Sequence, residues 1–199
     1  DESTMRALNI IFVFIVLSIS GCGYVWQGSG NPWKKDKIEN VYIKILKNNS
    51  LRPGAEVVFT SALLKEFSRG TGLKNTPYPE HADALLEGEI SSIVTINNPS
   101  ATVPQVSPED PLAKDFSDVL IATEYTVVAT VSIRLLRKKD KAVLWTQEFS
   151  QGKLYPGNNR FGAVGNTSML INQSQQQLAL NEIARNLAND IYEGILEAF

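Results

Sequence analysis

Cysteine occurs once in this chain of 199 residues, at Cys22, and histidine once, at His81. A lone thiol cannot supply an internal disulfide, a CxxC redox pair or a thiolate metal site. A lone imidazole is too little for a zinc site built on histidines and for most proton-relay chemistry. His81 lies in the proline-broken stretch Thr76-Pro77-Tyr78-Pro79-Glu80-His81, where an exposed loop residue is expected. The chain also lacks a G-x-S-x-G elbow, a Walker loop, an H-E-x-x-H pair and a G-x-G-x-x-G turn. No cofactor is expected, no metal site, and the absences together argue against an enzyme. With 19 basic and 21 acidic residues, the chain has no basic excess of the kind that nucleic-acid binding requires.

What is present begins near the N-terminus. Arg6 precedes an unbroken apolar run from Ile10 to Leu17, closed by Ile19-Ser20-Gly21-Cys22. Spanning a bilayer takes about 20 predominantly apolar residues. Asn9 on one side and Ser18, Ser20 and Gly21 on the other leave this run clearly shorter. A positive start, a short apolar core and a small-residue exit make a secretory signal. An exit ending in cysteine resembles the lipobox of bacterial lipoproteins. That resemblance implies a signal peptide over 1–21, cleavage before Cys22, and an acyl chain such as palmitate on Cys22. Asp1 and Glu2 do not suit the positive start, so Met5 is read as the initiator and residues 1–4 as extraneous. Gly23 follows the cysteine rather than the aspartate that retains many lipoproteins at the inner membrane, which favours outer-membrane sorting.

From Gly23 to about Asp36 the chain is rich in Gly, Ser, Asn and Lys, so residues 22–38 are expected to be a lipidated tether and 39–199 a single domain. Val41 to Leu46 alternates and is β-branched, which predicts a first strand. Pro53-Gly54 marks a turn before a helix expected from Ala55 to Arg69, with Val58, Phe59, Ala62, Leu63 and Phe67 on one side and Gly70 and Gly72 at its end. A second strand is expected from Ala84 to Asn97, placing Leu86, Gly88, Ile90, Ser92, Val94 and Ile96 on one face. Residues 98–117, with four prolines, predict a long loop. Tyr125, Val127, Ala129, Val131, Ile133 and Leu135 form one face of a third strand. Ala142 to Phe149 returns as a fourth, and Gly152 to Asn166 predicts another loop. A last helix is expected from Asn172 or Ser174, where Ser174 and Gln177 have capping-box spacing. Its stripe is Leu180, Ile183, Ala184, Leu187, Ile191 and Ile195. The order β-α-β-β-β-α predicts a two-layer α+β sandwich, a four-stranded sheet packed against two helices.

These segments together resemble the lipopolysaccharide-assembly lipoprotein LptE family. The likeness begins at Cys22-Gly23-Tyr24, although Val25-Trp26 departs from the usual continuation. It runs through Val41 to Leu46 and through Pro53-Gly54-Ala55-Glu56 with Thr60 and Leu63. Its most specific block is Ala82-Asp83-Ala84-Leu85-Leu86-Glu87-Gly88-Glu89-Ile90. Glu124-Tyr125-Thr126-Val127, Val143-Leu144-Trp145 and the final helix with Ala184, Leu187, Ala188 and Ile191 complete it. The resemblance implies a periplasm-facing, lipid-anchored outer-membrane protein that plugs the LptD β-barrel and helps place lipopolysaccharide in the outer leaflet.

Arg134, Arg137, Lys138, Lys139 and Lys141, in the turn between the third and fourth strands, are the densest basic cluster. They are the candidate contact for an anionic lipid, whose phosphates accept charge-assisted hydrogen bonds; the plain alternative is a solvated turn kept polar against edge pairing. Two other functions fit parts of the chain. One is a lipoprotein activator or scaffold for a cell-wall synthase, on the same tether. The other is a hydrolase using Asp83, Glu87 and Glu89, disfavoured because acidic residues on a solvated strand face are commonplace.

Overall fold

The computed structural model describes residues 31–102, 120–157 and 167–198. The chain divides into two units, Asp1–Gly30 and Asn31–Phe199, and every element below belongs to the second. The expected signal segment, Cys22, the middle of the expected 98–117 loop, Arg160 and Phe161 lie outside the described residues.

The elements in order are β1 (Asn40–Ile43), β2 (Lys47–Asn48), α1 (Ala55–Arg69), β3 (Lys74–Asn75), β4 (Ala84–Thr102), β5 (Leu120–Arg137), β6 (Val143–Pro156) and α2 (Thr167–Leu196). Short 3-10 turns stand at Pro32–Asp36 and Pro79–His81. Among the described residues the class is α+β with two α-helices, as expected, but the sheet has six strands rather than four. Its order is β3-β1-β4-β5-β6, with β2 also joined to β4. Pairing is parallel among β1, β2, β3 and β4 and antiparallel from β4 through β6.

The extra strands have local causes. Ile43 pairs with Leu86 and Lys47 with Glu89, so one more residue is threaded on this side than on β4. The excess ends the first strand at Ile43, short of the expected Leu46, and pairing resumes beyond it as β2. It also reverses the inward phase: Val41, Ile43 and Leu46 are buried while Ile45 is 73 % exposed. The Leu46 N–H, out of the ladder, donates to the buried Thr60 hydroxyl at 3.1 Å, which satisfies both groups.

β4 repeats the device. Its register with β5 shifts between Ile90 and Ser92, and a bulge flips every later side chain to the other face. Leu86 and Ile90 are buried as the alternation predicts, but Val94 and Ile96, expected on the same face, are half exposed, and Ile93 packs on the core instead. β4 and β6 also outrun their expected ends, at Thr102 and Pro156. Residues 98–102 and 152–156, read from sequence as loop, are therefore strand. Their neighbours supply the reason, since Asn97 pairs with Tyr125 and Leu154 with Thr126, so the ladders simply continue.

Helix α1 has the predicted bounds. It starts after Gly54 at φ +83°, a conformation that glycine adopts without strain. It ends at Gly70, where the backbone turns extended and a Cβ would lie 2.0 Å from the Tyr192 hydroxyl, so that only glycine fits. Tyr192 also accepts the Gly72 N–H at 3.0 Å and stands edge-on to Phe67 at 4.9 Å. The end of α1 is thereby fixed to the last turns of α2. Helix α2 begins at Thr167, ahead of the expected start, so Ser174 and Gln177 are interior residues rather than a capping box.

Both helices pack together and against the inner face of the sheet. Val127, Ala129, Val131, Ile133 and Leu135 face Leu180, Ile183, Ala184, Leu187, Ala188, Ile191 and Ile195, all buried. Full burial of a Leu or Ile contributes roughly 1.5–3 kcal/mol, so this layer dominates stability. Trp33 and Ile38, within the segment expected to be tether, belong to the same core.

Candidate functional site

The β5–β6 hairpin holds the basic residues singled out from sequence, and the fold separates them into two environments. Arg134 lies on the outer sheet face, opposite Glu87 in register and 3.7 Å from its carboxylate. Lys44 bonds the other Glu87 oxygen. The Lys44 hydrogen bond, reinforced by the charges of Lys44, Arg134 and Lys141, holds the Glu87 carboxyl below its ordinary value. A cleft of about 400 Å³ opens here between Lys44, Lys47, Glu87, Glu89 and Arg134. Lys44 and Lys47 were not singled out by sequence reasoning; the register shift beside Ile45 is what brings them to β4.

Arg137, Lys138, Lys139 and Lys141 form the tip. Arg137 bonds Asp140 at 3.2 Å and, across about a hundred residues of sequence, Asp36 at 3.3 Å. The Lys138 ammonium donates to the Glu80 carbonyl at 2.6 Å. Lys139 and Lys141 are exposed. The turn is closed by Arg137 N–H to the Ala142 carbonyl at 2.8 Å and by Lys141 N–H to the Arg137 carbonyl at 2.9 Å. Asp140 accepts the Ala142 N–H at 3.1 Å. That backbone bond, with Arg137 beside it, lowers the Asp140 carboxyl below its usual range. The tip is therefore an ordered turn in which two cations are already engaged by the protein, and two point to solvent.

The three carboxylates considered for hydrolysis have separate tasks. Asp83 accepts the backbone N–H groups of Glu39 and Asn40, at 3.1 and 2.9 Å. Glu87 is held by Lys44 and Arg134, and Glu89 accepts from the Asn49 amide at 3.2 Å. Each acts as a structural acceptor for its own neighbours. His81 is exposed and stacks edge-on to Tyr78, as its loop position predicts.

Further along the outer sheet face the character changes. Past the β4 bulge the outward residues are Ser92, Val94 and Ile96 on β4, Thr126, Val128 and Thr130 on β5, and Ser150, Gly152 and Leu154 on β6. None of these nine is charged, although Glu124 follows on the same face of β5, and Val94, Ile96 and Leu154 are about half exposed. Sequence alternation alone pointed the first two inward, so this surface was hidden by the bulge.

The protein is thus an α+β domain with two helices on one face of a mixed sheet, and its other face is divided between ion pairs and uncharged residues. The LptE family model, described as lipopolysaccharide-assembly, matches residues 38–195. The chain belongs to the LptE family. No curated protein sequence matches it. Among solved structures it is similar to a hypothetical protein from Chlamydia trachomatis, with 13 % identity and TM-score 0.46 over 81 % of this chain and 99 % of that one. A minor lipoprotein from Acinetobacter baumannii shares 10 % identity at TM-score 0.43, over 80 % and 94 % of the two chains. For an uncharacterized lipoprotein B from Nitrosomonas europaea the values are 20 %, 0.39, and 88 % and 95 %.

Proposed function

We propose that this protein is a periplasm-facing outer-membrane lipoprotein, anchored through Cys22, that plugs and supports an LptD-type β-barrel and assists lipopolysaccharide insertion into the outer leaflet. The observation that carries the reading is the family match over residues 38–195, which takes in both helices and the whole sheet. The N-terminal lipobox supports the anchor. The uncharged half of the outer sheet face, with Val94, Ile96 and Leu154, offers the barrel a surface whose burial is favourable. The cations of the hairpin, Arg134 on the sheet face and Arg137, Lys138, Lys139 and Lys141 at the tip, contact a phosphate-bearing lipid through charge-assisted hydrogen bonds. The chemistry required is holding and guiding, which the ion-paired carboxylates and ordered turns suit.

The test is affinity recovery of the protein from detergent-solubilised membranes, with the bound proteins identified by mass. An outer-membrane β-barrel is the expected partner, and recovery of a peptidoglycan synthase in its place would overturn the reading in favour of a cell-wall activator. The same preparation reports the N-terminus: an acyl-modified Cys22 is expected, and a mature chain still carrying Met5 would refute the anchor.

A further inference from the structure

The tetrapeptide Lys-Lys-Asp-Lys occurs twice in the chain, at residues 34–37 and 138–141. The fold brings the two copies together. One guanidinium, that of Arg137, bonds the aspartate of each, Asp36 at 3.3 Å and Asp140 at 3.2 Å. The two copies end alike, although the first lies in a 3-10 turn and the second in a hairpin turn. Lys37 and Lys141, each the last residue of its copy, have φ of +59° and are the positive-φ residues other than glycine among the described residues. Each closes its turn through its own N–H, Lys37 to the Lys34 carbonyl at 3.1 Å and Lys141 to the Arg137 carbonyl at 2.9 Å. A residue with a Cβ is strained there, and glycine or asparagine fits more easily. Strain retained at paired, exposed lysines points to a use for their charge.

The position of the first copy supplies that use. Trp33, immediately before it, is buried and donates its indole N–H to the Ile195 carbonyl at 2.9 Å. Asn31 accepts the Trp33 N–H at 2.9 Å. The chain therefore enters the domain at a fixed point beside the double turn. Eight residues lie between Cys22 and Asn31, a reach of at most about 30 Å even when fully extended. A domain anchored through Cys22 is confined to that distance from the bilayer, and the double turn is where its tether arrives.

We propose that the paired turns are a membrane-surface contact, seating the domain on anionic phospholipid headgroups of the leaflet that holds the Cys22 acyl chains. The proposal rests on the lipidation put forward above and names the source of the phosphates that the tip meets. The two copies and Arg137 bring seven cations against Asp36 and Asp140, and an excess remains when neighbouring Glu39, Glu80 and Asp83 are added. Glu193 stands on the last turn of α2 and Glu197 just after it, so the end as a whole is mixed and the cations act as a local cluster. Lysines held near an anionic leaflet strengthen a lipid anchor, and their effect falls off within a Debye length. Such a contact fixes which end of the domain faces the bilayer.

The test uses the full acylated protein, extracted from membranes and reconstituted in vesicles of phosphatidylcholine alone, of phosphatidylcholine with one-third phosphatidylglycerol, or of phosphatidylcholine with lipopolysaccharide. Amine-reactive labelling, read by mass, compares Lys34, Lys35, Lys139 and Lys141 with the exposed Lys65 of α1. In phosphatidylglycerol vesicles the four lysines are expected to label at least about fivefold more slowly than in phosphatidylcholine, with the difference removed by high salt and Lys65 unchanged. Equal labelling in both vesicles overturns the proposal. Protection by lipopolysaccharide alone also overturns it, and assigns the tip to that lipid. A protein whose intact mass lacks acyl chains instead refutes the lipidation reading, a separate failure visible before any labelling.

Discussion

Two stretches of β5 illustrate how differently the two parts of this domain are built. From Val127 to Leu135 every second residue is turned to α2, and none of the five is more than 1 % exposed. Two residues later Arg137 begins a turn where the contacts are ion pairs, backbone bonds to side chains and exposed lysines. The inner face relies on burial of apolar surface, which is non-directional and scales with area. The basic end relies on a few directional contacts, one of which, Arg137 to Asp36, spans about a hundred residues of sequence. Truncation should therefore damage the first region in proportion to the atoms removed, while the second should tolerate change energetically and lose function.

The largest effects are expected in the inner layer. Leu187→Ala, Ile191→Ala and Ile133→Ala are expected to cost about 2–5 kcal/mol by chemical denaturation, and Val131→Ala less, through lost burial and the cavity left behind. Next comes Gly88→Ala. An added Cβ would lie 2.4 Å from Ile133 Cδ1 and 2.6 Å from the Ser132 carbonyl oxygen. Overpacking of that kind costs about 1–3 kcal/mol, and full stability in this variant would mean that β4 and β5 do not pair in the register Gly88 to Ile133. A chain beginning at residue 31 is expected to retain the whole core, whereas one beginning at Lys37 loses Trp33 and should melt lower.

The core was legible for a physical reason. An unbroken antiparallel ladder keeps a period of two, and a long helix on a sheet keeps one stripe, so Val127 to Leu135 and Leu180 to Ile195 could be read directly. Legibility failed wherever a single residue was inserted. The extra residue near Ile45 and the bulge after Ile90 each reverse the alternation, and nothing in the side chains themselves announces this. Hence Leu46 is inside, Val94 and Ile96 are outside, and the uncharged half of the outer face was missed. At the site, the hairpin cations were legible as a charge cluster, but their partners were not. Asp36 and Glu80 meet Arg137 and Lys138 only through tertiary packing, and residues 34–37 read as tether because local composition says nothing of Trp33 reaching Ile195. The repeat of Lys-Lys-Asp-Lys was the available signal.

At the basic end the expected signs differ from those in the core. Lys37→Gly and Lys141→Gly relieve a left-handed backbone and are expected to stabilise by up to about 1 kcal/mol, measured as a higher denaturation midpoint. A loss of stability would show that these side chains hold the turns together. The smallest effect is expected at Glu182, whose carboxylate bonds Lys153 at 2.6 Å with both side chains more than a third exposed. Solvent screens such a pair, so Glu182→Ala should change stability by roughly 0.5 kcal/mol or less. A cost comparable to that of Leu187→Ala would erase the distinction drawn between the two regions.

Service of this domain in lipopolysaccharide delivery is tested by the amount of lipopolysaccharide reaching the cell surface as the protein is depleted. Surface lipopolysaccharide, labelled from outside on intact cells, is expected to fall in step with the protein and to recover on re-expression of the native chain. Unchanged surface lipopolysaccharide together with altered peptidoglycan synthesis would contradict the claim.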